Sequence, residues 1–231
     1  MVDESSGRAF LPPPLLLTDL HDRLLDAYGP QRWWPAETRL EIIVGAVLTQ
    51  NTAWANVERA LENLRQAKAL SLSRLLELPH EALAELLRPA GYFNVKARRL
   101  VNLLNAVPRR GGLRAMDGME TSELRARLLA VNGVGPETAD DILLYAFGRP
   151  VFVIDAYTRR LFTRLGLASG NEPYDALRLG VERALPGAVG WYQEFHALVV
   201  AHAKQRCGPT PDCRGCPIHE ACCYQGTVTG R

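Results

Sequence analysis

Residues Leu128–Asp155 read LLAVNGVGPETADDILLYAFGRPVFVID, and this stretch decides the fold. A helix leads into Gly133-Val134-Gly135, a tight turn, and a second helix is expected over Pro136–Phe147. Glycine admits φ > 0 and leaves no side chain in the way of a group docking on the backbone. Pro136 suits the first helical position, where its missing N–H costs nothing. The second helix then begins on free amides at a positive dipole end, a ready seat for a phosphate. Two helices around GVG, without sequence-reading side chains, suit a nucleic-acid backbone, because phosphate contacts position a protein and carry no sequence information. By itself GVG is a weak signal that an ordinary corner in a helical core also satisfies. Asp155 adds to it. This carboxylate follows the apolar run Val151-Phe152-Val153-Ile154, where a charge is costly unless it is used. It also stands where an N-cap would open the helix expected at Ala156–Leu165.

Outward from this stretch the chain reads as helix after helix. Leu15–Tyr28 stops at Gly29-Pro30, Glu37–Leu48 is apolar throughout, and Ala53–Arg65 carries Val57, Leu61 and Leu64 on one stripe. Short helices are expected at Leu72–Leu78 and Glu81–Leu87, then longer ones at Asn94–Ala106, Ser122–Ala130, Tyr174–Ala184 and Trp191–Gln205. Residues 1–14 read as a loose tail, Gln31–Ala36 as a loop carrying two tryptophans, and Arg109–Gly118 as a glycine-rich connection. No period-two strand pattern occurs, so the fold class is all-α, with about ten or eleven helices.

The 231 residues allow one domain of two lobes or two small domains, and 47% hydrophobic content supports a real core. No apolar run reaches the ~18 residues of a membrane span. The N-terminus MVDESSGRAFLPPP lacks the basic start and apolar stretch of a signal peptide, so a cytoplasmic protein is expected, nucleoid-associated if bacterial. With 27 basic and 25 acidic residues the net charge is +2, so any basic face must come from local clusters such as Lys96-Ala97-Arg98-Arg99, Arg109-Arg110 and Arg159-Arg160. All five cysteines fall between Cys207 and Cys223, which in an intracellular protein points to a metal or cluster rather than disulfides. Cys207-x5-Cys213-x2-Cys216-x5-Cys222 suits an iron–sulfur cluster or structural zinc equally.

The hairpin, Asp155 and the cysteines together resemble the endonuclease III superfamily of helix-hairpin-helix (HhH-GPD) DNA glycosylases, over about Glu37–Cys223. The resemblance implies two helical lobes with a DNA cleft between them: residues 31–149, and residues 1–30 with 150–231. It implies that Asp155 is catalytic and that the Gly133, Val134 and Gly135 amides hold a phosphate. By residue type alone, Gln50 in Leu48-Thr49-Gln50-Asn51-Thr52 would be a cap and Tyr92 in Ala90-Gly91-Tyr92-Phe93-Asn94 a core residue. By the resemblance, Gln50 enters the space vacated by a flipped nucleotide and Tyr92 wedges the opposite strand. The cysteines resemble the family's C-terminal [4Fe–4S] loop, whose usual spacing is x6-x2-x5. The first gap here is one residue shorter, and Cys222, which preserves the last gap, is chosen over Cys223 as fourth ligand. That loop would present Lys204, Arg206 and Arg214 to phosphates.

Two departures narrow the activity. The family's strand-cutting lysine lies two residues after GVG, and Glu137 stands there. A carboxylate cannot form the imine that lyase chemistry needs, so a monofunctional, hydrolytic glycosylase is expected, with Lys96 or Lys204 as the amines that could substitute. Trp33-Trp34-Pro35 and Trp54, which residue type alone would place in a core, are similar to the 3-methyladenine glycosylase branch, where aromatics sandwich a flipped alkylated base. Electron-rich indole faces attract a cationic N-alkylated purine. The expected partner is duplex DNA containing a damaged base, bound by a monomer. The alternatives are an endonuclease III-type enzyme for oxidised or mismatched pyrimidines with weak lyase activity, and a non-catalytic homologue that binds damaged DNA.

Overall fold

The computed structural model describes residues 13–185 and 187–224. Of the tail expected over residues 1–14, residues 1–12 lie outside the described residues, and Pro14 already opens the first helix. In chain order the helices are α1 (Pro14–Tyr28), α2 (Arg39–Leu48), α3 (Trp54–Gln66), α4 (Leu72–Glu77), α5 (His80–Leu86), α6 (Phe93–Asn105) and α7 (Thr121–Leu129). They continue as α8 (Pro136–Asp141), α9 (Ala156–Arg164), α10 (Tyr174–Ala184) and α11 (Val189–Gln205). Among the described residues there is no strand, and no helix is long and apolar enough to cross a membrane. The chain divides into two compact units: Trp34–Arg149, and the N-terminal stretch through Trp33 together with everything from Pro150 onward.

Unit 34–149 is built around α2. Thr38 and Glu41 form a capping box: Thr38 Oγ1 accepts the Glu41 amide at 3.2 Å, and Glu41 accepts the Thr38 amide at 3.3 Å. The helix then buries Ile43, Val44, Ala46, Val47 and Leu48 against α3 and α6. Each of the larger ones, Ile43, Val44, Val47 and Leu48, contributes roughly 1.5–3 kcal/mol when removed from water. Two elements differ from the sequence expectation. The helix expected over 136–147 changes pitch after α8: Ile142–Ala146 is a π turn, in which the Phe147 amide donates to the Ile142 carbonyl at 3.2 Å. Periodicity cannot show this, because all five residues of the turn are buried. The glycine-rich connection contains a 3-10 helix, Gly112–Met116, which buries Met116.

In the other unit α11 packs against α1 and α9, around Leu17, Leu20, Phe162, Phe195 and Leu198. The extended run Val151–Ile154 is buried without a neighbouring strand, so side chains must satisfy its amides. The Phe152 amide donates to Glu182 Oε1 at 2.9 Å, and the Ile154 amide to the Tyr174 hydroxyl at 3.3 Å. This tethered run delivers Asp155 to the start of α9.

Candidate nucleic-acid interface and carboxylate site

The hairpin between α7 and α8 is held from both sides. Arg125 of α7 grips the fully buried Asp140 of α8 with two hydrogen bonds, 2.7 and 3.1 Å. Gly133 has φ +97°, and a Cβ there would lie 2.3 Å from Arg99 Cγ, so both conformation and space demand glycine. A Cβ on Gly135 would meet nothing within 4 Å, so that side of the turn is open to an approaching group. Val134 is buried, and its amide closes the turn onto the Val131 carbonyl at 3.1 Å. Glu137 is exposed in the first turn of α8.

Gln50 docks onto this hairpin. Its Nε2 donates to Thr138 Oγ1 at 2.9 Å and to the Gly133 carbonyl at 3.2 Å, while Arg99 donates to its Oε1 at 2.5 Å. Tyr92 has the opposite character: it is 75% exposed, with φ +46°, immediately before α6. A left-handed aromatic displayed to solvent stores strain of the kind found at functional positions. Lys96 of α6 stands behind both loops. It is 1% exposed, and Nζ donates to the carbonyls of Leu48 at 2.9 Å and Ala90 at 2.7 Å. Its amine is therefore engaged by the carbonyls that close two helices.

The tryptophans divide. Trp34 meets Trp54 edge to face, with centroids 5.4 Å apart, and Tyr145 of the π turn at 5.3 Å. Its indole lies across Gly45 of α2, where a Cβ would come within 3.0 Å of the ring. Pro35 is exposed beside Trp54. Trp33 ends the N-terminal segment of the other unit.

Asp155 is the N-cap of α9: its Oδ1 accepts the Thr158 amide at 2.6 Å. Its Oδ2 lies 3.6 Å from Nε2 of His196 on α11, with the two side chains 11% and 7% exposed. Burial alone would push this carboxyl up. His196 and the Thr158 amide outweigh burial and hold it below the ordinary aspartate value. The cap and the charged site are one residue.

Four thiols, Cys207, Cys213, Cys216 and Cys222, line one pocket with Arg164 and His202. Burial first, then the neighbouring Cys207, Cys213 and Cys222, push the Cys216 thiol up, as expected when four thiols face one another without a cation. Cys223 is exposed and turns to the Leu165 carbonyl at 3.6 Å, away from this set. Arg160 and Arg164 staple α9 to the loop through the Cys207 carbonyl at 2.9 and 3.1 Å, and Arg164 also donates to Cys207 Sγ at 3.1 Å. His202 is kept neutral by burial and the nearby Arg206 and Arg164, which push its pKa down to about 4; its Nδ1 is 2.8 Å from the Tyr28 hydroxyl. Among the described residues no three His, Cys, Asp or Glu side chains converge on a single-ion point. The donor set, four thiols with basic groups behind them, suits a thiolate-held cluster. Arg206 pairs with Asp212 at 3.1 Å, and Arg214 reaches the same carboxylate at 3.5 Å, while Lys204 is exposed.

His196, Arg99 and Tyr145 were not singled out by the sequence. His196 offered one signal, an ionisable residue within an apolar helix. Arg99 looked like one more member of a basic cluster, and Tyr145 depends on a pitch change that no pattern announces.

The profile of the HhH-GPD superfamily base excision DNA repair protein matches residues 44–186. A Methanocaldococcus jannaschii protein whose name assigns it to the DNA repair glycosylases is 47% identical over 210 residues, 90% of this chain and 96% of its own length. The Helicobacter pylori 3-methyladenine DNA glycosylase MagIII, solved with 1,N6-ethenoadenine bound, superposes with TM-score 0.73 at 31% identity, over 84% of this chain and 98% of that one. Endonuclease III of Rickettsia conorii is 28% identical over 186 residues, 79% of this chain and 83% of its own length. A hairpin braced through Arg125, Asp140 and Gln50, a carboxylate held below its ordinary value at a helix start and matches of this extent agree: the chain belongs to the HhH-GPD superfamily of base excision DNA repair glycosylases.

Proposed function

We propose that this protein is a monofunctional DNA glycosylase that flips alkylated purines such as 3-methyladenine from duplex DNA and hydrolyses their glycosidic bond. The observation that carries the reading is Asp155, a buried carboxylate held ionised beside His196, in a chain with Glu137 two residues after GVG. Breaking an N-glycosidic bond builds positive charge on the sugar. The Asp155 carboxylate stabilises that charge and orients the attacking water. An N-alkylated purine leaves without protonation because it already carries positive charge. The Gly133, Val134 and Gly135 amides seat a phosphate, Tyr92 wedges the strand opposite, and Gln50 leaves its hairpin contacts to fill the vacated stack. Without an amine at position 137, the base leaves, the sugar remains in the chain as an abasic site and the strand stays intact.

Trp34 and Trp54, with Pro35, supply aromatic faces for a cationic ring. The 31% identity to a 3-methyladenine glycosylase supports this branch. Cys207, Cys213, Cys216 and Cys222 would hold a [4Fe–4S] cluster, which supplies a rigid fold for the loop after α11. The test is an excision assay on duplexes carrying 3-methyladenine, thymine glycol or uracil, with borohydride added to trap imines. Free 3-methyladenine and no trapped adduct are expected. Release of the pyrimidines instead, or a covalent adduct, would overturn the reading.

A further inference from the structure

His196 is a buried ionisable residue that the reaction described above does not use. It comes from α11, far along the chain from α9, yet its Nε2 stands 3.6 Å from Asp155 Oδ2. The other oxygen, Oδ1, is taken by the Thr158 amide at 2.6 Å. One oxygen is thus held by a hydrogen bond from its own helix, and the other lies at ion-pair distance from a helix packed against it. An ionised carboxylate only accepts, so the ring nitrogen facing it carries the proton.

A capping aspartate needs only its first-turn amide. A carboxyl sunk at the end of an apolar run would, with no other partner, tend to protonate, and a neutral acid cannot stabilise a sugar cation. The other charged groups around Asp155 are engaged elsewhere. Arg159 turns to the Gly170 and Glu172 carbonyls, Arg160 to the Cys207 carbonyl, and Glu182 of α10 pairs with Arg178 and caps the Phe152 amide. The Tyr174 hydroxyl accepts the Ile154 amide. Among the described residues, His196 is the ionisable side chain that acts on the carboxylate.

We propose that His196 is a positioning residue: without touching the substrate, it fixes the plane and the charge of the Asp155 carboxylate from which that group meets the developing sugar cation. The inference rests on Asp155 being the catalytic carboxylate, so its test includes a control for that reading. Single-turnover release of 3-methyladenine is followed against pH for wild type, His196→Leu, His196→Gln and Asp155→Asn, alongside thermal melting and affinity for undamaged duplex. Because the leaving base is already cationic, the acid limb of the profile reports the carboxylate.

Losing a contact to a charged group is expected to lower the maximal rate of His196→Leu about ten- to a hundredfold. Its acid limb should move upward by about one pH unit or more, with duplex affinity unchanged. His196→Gln, which can place a neutral N–H near the old Nε2, should recover part of the rate while its limb stays shifted. If His196→Leu does not fold, the His196→Gln limb decides. Wild-type limbs in the folded variants would overturn the proposal, as would a rate loss matched by the loss of folded protein. Full activity in Asp155→Asn would instead remove the catalytic reading beneath it.

Discussion

Placing a methyl group on Gly133 tests how the hairpin is braced. Gly133→Ala forces a residue with a side chain to φ +97°, which costs about 1–2 kcal/mol for an L-residue. The new Cβ would also sit 2.3 Å from Cγ and 2.9 Å from Cδ of Arg99. Those atoms belong to the stem rather than the free end, so the arginine must swing away, at roughly the 1–3 kcal/mol of an overpacked site. Together the variant should lose about 2–5 kcal/mol. The swing also takes the guanidinium off Gln50 Oε1. A double-mutant cycle separates the two parts. In Gly133→Ala/Arg99→Ala the two worst contacts, to Cγ and Cδ, are gone, while a 3.1 Å approach to Cβ of residue 99 and the backbone strain remain, so about 1–3 kcal/mol should return relative to the sum of the single changes. Denaturant unfolding measures the stabilities, and titration with undamaged duplex reads the accompanying loss of phosphate grip. A neutral Gly133→Ala would refute the bracing, and strict additivity would show that Arg99 does not occupy the glycine's space.

Three further outcomes are expected. Burial, and secondarily Arg99, push the Lys96 ammonium down to about 8 from 10.5, so the unfolded chain binds the extra proton between those values and the position gains stability as pH rises through that window. The stability difference between wild type and Lys96→Met should therefore grow from pH 8 upward, and parallel unfolding curves would contradict this. Tyr92→Gly removes left-handed strain from an exposed residue, so melting should hold or rise by ~1 kcal/mol while excision drops more than about tenfold; a stability loss with full activity would reverse the assignment. Cys222→Ser should abolish iron-linked absorbance near ~400 nm whereas Cys223→Ser should keep it, and the opposite pattern would exchange their roles.

The helices were legible because most of them put one apolar stripe against a core, and spacing records that directly. The hairpin and its glycines were legible for a related reason: turn chemistry is local. Even the cap on α2 is written in the order Thr38-x-x-Glu41. What could not be read depends on which distant residues meet. Gln50 was expected to be a cap by residue type or to fill a vacated stack by resemblance, and the structure seats it on Gly133, Thr138 and Arg99. Lys96 stood among the amines and turned out to hold two carbonyl ends. His196 had no local sign of its partner, because a helix pattern reports burial and not the identity of the facing group. Cys222 and Cys223 are neighbours in sequence, and the direction in which each thiol points is fixed by the fold of the loop.

The account turns on the charge of one side chain. Asp155→Asn keeps the shape and still offers an oxygen to the Thr158 amide, so the fold should be preserved, with a modest drop in melting from the lost His196 pairing, while the negative charge is lost. Single-turnover release of 3-methyladenine from methylated duplex should then fall by about a hundredfold or more, the scale on which preorganised electrostatic groups act. A rate equal to wild type, in a folded protein with unchanged duplex affinity, would contradict it.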